Sequence, residues 1–115
     1  MEDRFLQQLK KGVLELLVLQ TICRAPTYGY ELLSTLGASS DGLFSVKEGT
    51  LYPILYRLED DGLIASAWRQ EAGRAAPRKI YSATEKGHAE NRRRIAVWNR
   101  FRSAVDQLCE EESVL

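Results

Sequence analysis

The chain has 115 residues, 44% of them hydrophobic and 28% charged, a mixture typical of one globular domain that buries its own core. Lys plus Arg and Asp plus Glu each number 16, so the formal net charge is zero, which at first argues against a phosphate-bearing partner. No apolar run approaches the ~18 residues that span a bilayer, and residues 1–4 lack the basic-then-apolar layout of a secretory leader, so a cytoplasmic protein is expected.

The first predicted helix covers about residues 3–24. Its second half, with Val13, Leu14, Leu16, Leu17, Val18, Leu19 and Ile22, is apolar on nearly every side. Such a helix is buried on more than one face, and a domain this small leaves part of it for a second subunit. Cys23 near its end and Cys109 near the far terminus have no CxxC partner and read as packing residues. A second helix is predicted over residues 28–36, with Thr27 as its N-cap and Gly37 as its stop.

Leu51, Ile54, Leu55 and Leu58 follow the i, i+3, i+4, i+7 pattern of a third helix. Ser45 and Glu48 fit a capping box. A start at Ser45, however, would leave Pro53 two turns inside, at a cost of about 3 kcal/mol. An ordered helix from Lys47 or later, with an irregular first turn, is therefore expected, ending at Asp61-Gly62. Residues 63–70 and 78–83 read as two strands of a β-hairpin with a turn-rich tip between them. Thr84 caps a last helix that extends to about Glu112. Its apolar residues Ile95, Trp98, Phe101, Val105 and Leu108 are spaced by 3, 3, 4 and 3, which makes a short heptad-like seam. His88, the only histidine, has no neighbour at ligand spacing, so no metal or cofactor is expected.

The expected fold is mainly α with a small β-hairpin: a winged helix-turn-helix over residues 1–83 and a C-terminal dimerisation helix over 84–115, joined as one compact unit. In such a fold the third helix enters the major groove of DNA and the hairpin forms the wing. Charge placed along the chain answers the opening objection. Residues 69–102 hold ten basic and three acidic side chains, net +7, and the remainder is −7. The candidate DNA contacts are Lys47, Thr50, Tyr52, Tyr56 and Arg57 on the third helix and Arg74, Arg78 and Lys79 on the wing. Tyr52 and Tyr56 share a face, and one of them is equally a candidate to pack beneath the wing. Arg92-Arg93-Arg94 reads equally as a solvated helix face.

Several stretches carry a resemblance: LKKGVLELLVLQTI at residues 9–22, TYGYEL at 27–32, EGTLYPILYRLEDDGLI at 48–64, RKIYSATEKG at 78–87, and Trp98. Together they make the chain similar to the PadR family of winged-helix transcriptional regulators. The resemblance implies a homodimeric regulator, usually a repressor, acting on double-stranded DNA with a pseudo-palindromic operator. Its dimer would be built from the first and last helices, here through Leu6, Leu9, Phe101, Val105 and Leu108. With one terminal helix, the chain is similar to the short branch that includes LmrR-type multidrug sensors. That likeness implies a small planar aromatic effector between paired tryptophans, here at Trp98 with Ile95. In a dimer seam, Trp98 reads equally as packing. The wing departs from the family in its Ala75-Ala76-Pro77 tip. The rival reading is a winged-helix module for protein–protein contact without a specific DNA site. An enzyme is not expected, because the chain lacks a Ser/His/Asp set, a Gly-rich phosphate loop and a paired carboxylate site.

Overall fold

The computed structural model describes residues 3–110. In chain order it contains α1 (Arg4–Arg24), β1 (Thr27–Tyr28), α2 (Gly29–Ser39), α3 (Glu48–Asp60), β2 (Ile64–Arg69), β3 (Arg78–Ala83) and α4 (Glu85–Glu110). The fold is mostly helical with one small antiparallel sheet and a long last helix, as the sequence led one to expect.

Helix α1 starts at Asp3, whose carboxylate accepts a hydrogen bond from the Phe5 amide at 3.0 Å. Its buried residues are Leu14, Val18, Leu19 and Ile22, all in the second half. They meet Leu32 and Leu36 of α2, Leu51, Leu55 and Leu58 of α3, and Leu63, Ile64 and Tyr81 of the sheet region. This single cluster is the core.

Two details of α2 differ from the sequence expectation. Thr27 does not cap a helix. It lies in β1, where Thr27 pairs with Tyr81 and Tyr28 with Ile80, so the sheet has three strands in the order β1-β3-β2. The Thr27 hydroxyl donates instead to the Glu31 carboxylate at 2.6 Å, and Tyr28 is the N-cap residue. A strand of two residues is too short to leave an alternation in the sequence. Gly37 does not end α2 either. A Cβ there would stand 3.0 Å from the Ser45 hydroxyl, so the glycine permits close packing. The chain turns four and five residues later, at Asp41 (φ 54°) and Gly42 (φ 85°), where the Gly42 amide donates to the Gly37 carbonyl at 2.8 Å.

Helix α3 has Lys47 as N-cap with no side-chain cap bond, so the capping box of Ser45 and Glu48 is not formed. Pro53 sits in the helix interior, on the exposed side away from the core. The helix closes at Gly62 (φ 76°), with the Leu63 amide donating to the Leu58 carbonyl at 2.9 Å. That closure feeds directly into β2, which pairs with β3 from Ile64↔Ala83 to Arg69↔Arg78.

The start of α4 is fastened to the end of α3. Thr84 Oγ1 donates to the Gly62 carbonyl at 2.7 Å and accepts from the Gly87 amide at 3.0 Å. Lys86 Nζ donates to the Asp61 carbonyl at 2.8 Å. A Cβ on Gly87 would run into the Leu63 backbone carbonyl, so only glycine lets α4 lie this close. Further along, α4 leaves the domain: its buried residues are Gly87 and Asn91, both in the first two turns. Glu111 and Glu112, expected at its end, lie outside the described residues.

Candidate nucleic-acid interface

The buried row of α3 fixes its opposite face. At 100° per residue, Leu51, Ile54, Leu55 and Leu58 on the inside put Gly49, Pro53, Tyr56 and Asp60 on the outside. All four are exposed, Tyr56 at 62%. Thr50 and Arg57 lie on one flank of this face, toward α1, and Lys47 is exposed at the N-terminal end. The other flank faces the sheet, through Tyr52 and Glu59.

Of the two tyrosines that share a face, Tyr52 is the one turned toward the core. It is half-buried against the core, and its hydroxyl occupies the space where a side chain on residue 29 would stand. Gly29 is therefore the complement of Tyr52, and the pair sets the distance between α2 and α3. Glu59 accepts a hydrogen bond from the Ser66 hydroxyl at 2.7 Å, which ties α3 to β2. The Tyr81 phenol, beneath this contact, is pushed up to about 12 by burial first and then by Tyr52, Glu59 and Tyr56.

The wing candidates divide. Arg74 is exposed at the tip, where its Nε–H points to the Ala76 carbonyl at 3.4 Å. Arg78 is already engaged. Its guanidinium stacks over the Tyr28 ring at 4.1 Å and lies 3.7 Å from the Glu71 carboxylate, and it is only partly exposed. This residue anchors β1 to the hairpin, a role the sequence reading missed because β1 itself was missed. Lys79 sits over the Tyr81 ring at 5.7 Å and pairs across the strands with Trp68. Alternation from Ile64 through Ser66 places Trp68 on the sheet face that packs on α3, yet Trp68 is 69% exposed. Hairpin periodicity alone would have flagged this residue as part of the same surface.

Ion pairs connect α3 with α1 and α4. Arg57 Nε donates to Glu15 Oε1 at 3.1 Å, and Glu15 Oε2 lies 3.6 Å from Arg94 NH1. Arg93 and Arg94 both bind Glu90, whose carboxyl they hold down at about 2. Two members of the Arg92-Arg93-Arg94 run thus share one carboxylate within α4, and Arg94 has a second partner in Glu15 of α1.

On α4, Ile95 and Trp98 are half-buried, and the Trp98 and Phe101 rings lie 6.2 Å apart at 33°. Phe101, Val105 and Leu108 are exposed, as is Leu9 on α1, while Leu6 is half-buried. The seam therefore lacks a cover within one chain. Cys23 is half-buried, its thiol pushed up by burial, and Cys109 is exposed.

A helix-turn-helix with an attached wing is shared by many regulators, so the geometry alone does not choose among them. The model of the PadR-like transcriptional regulator family matches residues 18–93. The chain belongs to this family. Among solved structures, the PadR family regulator of Eggerthella lenta is 34% identical, with a TM-score of 0.81 over 93% of this chain and 90% of that one. A PadR-like regulator of Bacillus cereus is 32% identical, with a TM-score of 0.78 over 90% and 97%. A transcriptional regulator of Mycobacterium tuberculosis is 49% identical over 55 residues, which is 45% of this chain and 50% of that protein. This PadR-family chain is accordingly a DNA-binding transcriptional regulator. Among its described residues no helix is long and apolar enough to cross a membrane.

Proposed function

We propose that this PadR-family regulator is a homodimeric repressor. Each protomer lays the outer face of α3 in the major groove of one half of a pseudo-palindromic operator. The observation that carries the reading is the exposed face of α3, with Gly49, Pro53, Tyr56 and Asp60 opposite the buried row and Thr50 and Arg57 on the flank toward α1. Lys47 and Thr50 at the N-terminal end bind phosphates or base edges, and Tyr56 packs on sugar or a thymine methyl. Arg74 and Lys79 of the wing contact the backbone beside the groove. Tyr52 and Arg78 support these contacts from behind, Tyr52 through Gly29 and Arg78 through Tyr28.

The seam on α4 supports the dimer. Phe101, Val105 and Leu108 from each protomer, with Leu6 and Leu9 of α1, cover one another in a symmetric contact. Trp98 and Ile95 at its inner end form the binding place for a small planar aromatic effector. Such a ligand relieves repression only if it binds one spacing of the two reading heads more tightly than the other.

A mobility-shift titration against the DNA upstream of the chain's own gene, at two salt concentrations, tests the DNA reading. Binding that weakens steeply with salt, and that is lost on replacing Lys47 and Thr50 by alanine, is the expected result. Unchanged function in that variant would point to a protein–protein module instead. For the effector, quenching of Trp98 fluorescence by planar aromatics is expected, with Trp98→Phe separating it from the signal of Trp68. Quenching that persists in Trp98→Phe would place the ligand elsewhere.

A further inference from the structure

Glu15 lies in α1, outside the reading face and outside the dimer seam, yet it touches both of the helices that carry them, α3 and α4. Its two oxygens are divided between different helices. Oε1 accepts from Arg57 Nε of α3 at 3.1 Å, and Oε2 lies 3.6 Å from Arg94 NH1 of α4. Arg94 is in turn held at 2.7 Å by Glu90, which also binds Arg93 through both of its oxygens. The charges alternate from Arg93 through Glu90, Arg94 and Glu15 to Arg57, and they cross three helices.

We propose that Glu15 is a positioning residue for DNA binding, shared between Arg94 and Arg57, so that the placement of α4 sets how freely Arg57 reaches a phosphate. The proposal rests on the DNA-binding reading above. Arg57 is mostly exposed, and only its Nε is engaged among the described residues. A guanidinium has five N–H donors, so Arg57 is equipped to bind a phosphate. The Glu15 carboxylate opposes this twice, by holding Nε and by repelling the incoming anion. Arg94 offsets that opposition in proportion to its closeness. When α4 brings Arg94 nearer, Glu15 is neutralised and Arg57 is released. When α4 carries Arg94 away, Glu15 keeps Arg57. Partly exposed ion pairs each shift an equilibrium by only about one- to fivefold, which suits a modulator and not a lock.

The test is fluorescence anisotropy with a labelled duplex of the upstream region, across a salt series, for the full chain and three variants. Glu15→Gln should bind about two- to fivefold tighter, with a salt slope steeper by about one phosphate contact. Arg94→Gln should bind more weakly by a similar factor. The double variant should match Glu15→Gln, because Arg94 acts through Glu15. An Arg94→Gln effect of equal size in both backgrounds, or Glu15→Gln binding no tighter than wild type, overturns the proposal. A second measurement needs no DNA: exchange of the Arg57 Nε–H with solvent, followed by NMR. It should slow in Arg94→Gln and quicken in Glu15→Gln, and equal rates in all forms would refute the sharing. If wild type binds no duplex at low salt, the DNA-binding reading fails, while the exchange rates still decide whether Glu15 is shared.

Discussion

Two glycines set the spacing of the helices that matter. Gly29 accommodates the Tyr52 hydroxyl, and Gly87 accommodates the Leu63 carbonyl. The second is the less forgiving, because its neighbour is backbone and cannot rotate away. Gly87→Ala should lower stability by about 1–3 kcal/mol, read from urea denaturation; a neutral result would mean that α4 is free to shift. Glu90 gives a pH signature. Its folded carboxyl titrates at about 2 against an ordinary 4.5, held down by Arg93 and Arg94. A depressed carboxyl contributes stability above the ordinary value and loses it as pH falls through the folded one. The stability gap between wild type and Glu90→Gln should therefore close between pH ~4.5 and ~2. A gap constant over that range would show that the Arg93 and Arg94 bonds carry no net energy.

Among the helices and strands, the apolar rows are what the sequence shows most plainly. The i, i+3, i+4, i+7 row of α3 located both the helix and, by opposition, its exposed face. Leu55, fully buried in that row, should cost about 2–5 kcal/mol on truncation to alanine; a smaller loss in thermal or urea unfolding would mean the core collapses around the gap. The hairpin strand at residues 78–83 was legible because Ile80 and Tyr81 stand between turn-rich ends. What was not legible depended on contacts between distant segments. Thr27-Tyr28 becomes a strand only because β3 offers an edge, and its consequence, the stacking of Arg78 on Tyr28, follows. Tyr52 turned inward because Gly29 left room, which no spacing within α3 reveals. The Ser45–Glu48 box fits the sequence pattern, but the helix starts at Glu48 with Lys47 as its N-cap. The role of Glu15 likewise depends on Arg57 and Arg94, which lie 42 and 79 positions away in the chain and come beside it only in the fold.

For the whole molecule, shape is the telling quantity. The radius of gyration is 16.6 Å, against about 13 Å for a compact chain of this length. The excess comes from α4, 26 residues long, which stretches the long axis to 63 Å. Phe101 and Leu108 on it are 62% and 67% exposed, a cost to a lone chain that a second copy would remove. Leu108→Asp should convert a dimer to a monomer in sedimentation at micromolar concentration. A wild-type monomer under those conditions would refute the dimer. The zero net charge also acquires a meaning at this scale. Positive charge on the wing and α4 is partly consumed by internal pairs such as Glu90 with Arg93 and Arg94. Under the proposed reading, bulk attraction to DNA is therefore modest, and binding depends on α3 and on the spacing of two copies. Hydroxyl-radical footprinting on the upstream region tests that claim most directly. Two protected patches about one helical turn, ~34 Å, or a whole multiple apart are the expected pattern. A single patch, or uniform weak protection along the duplex, would contradict it.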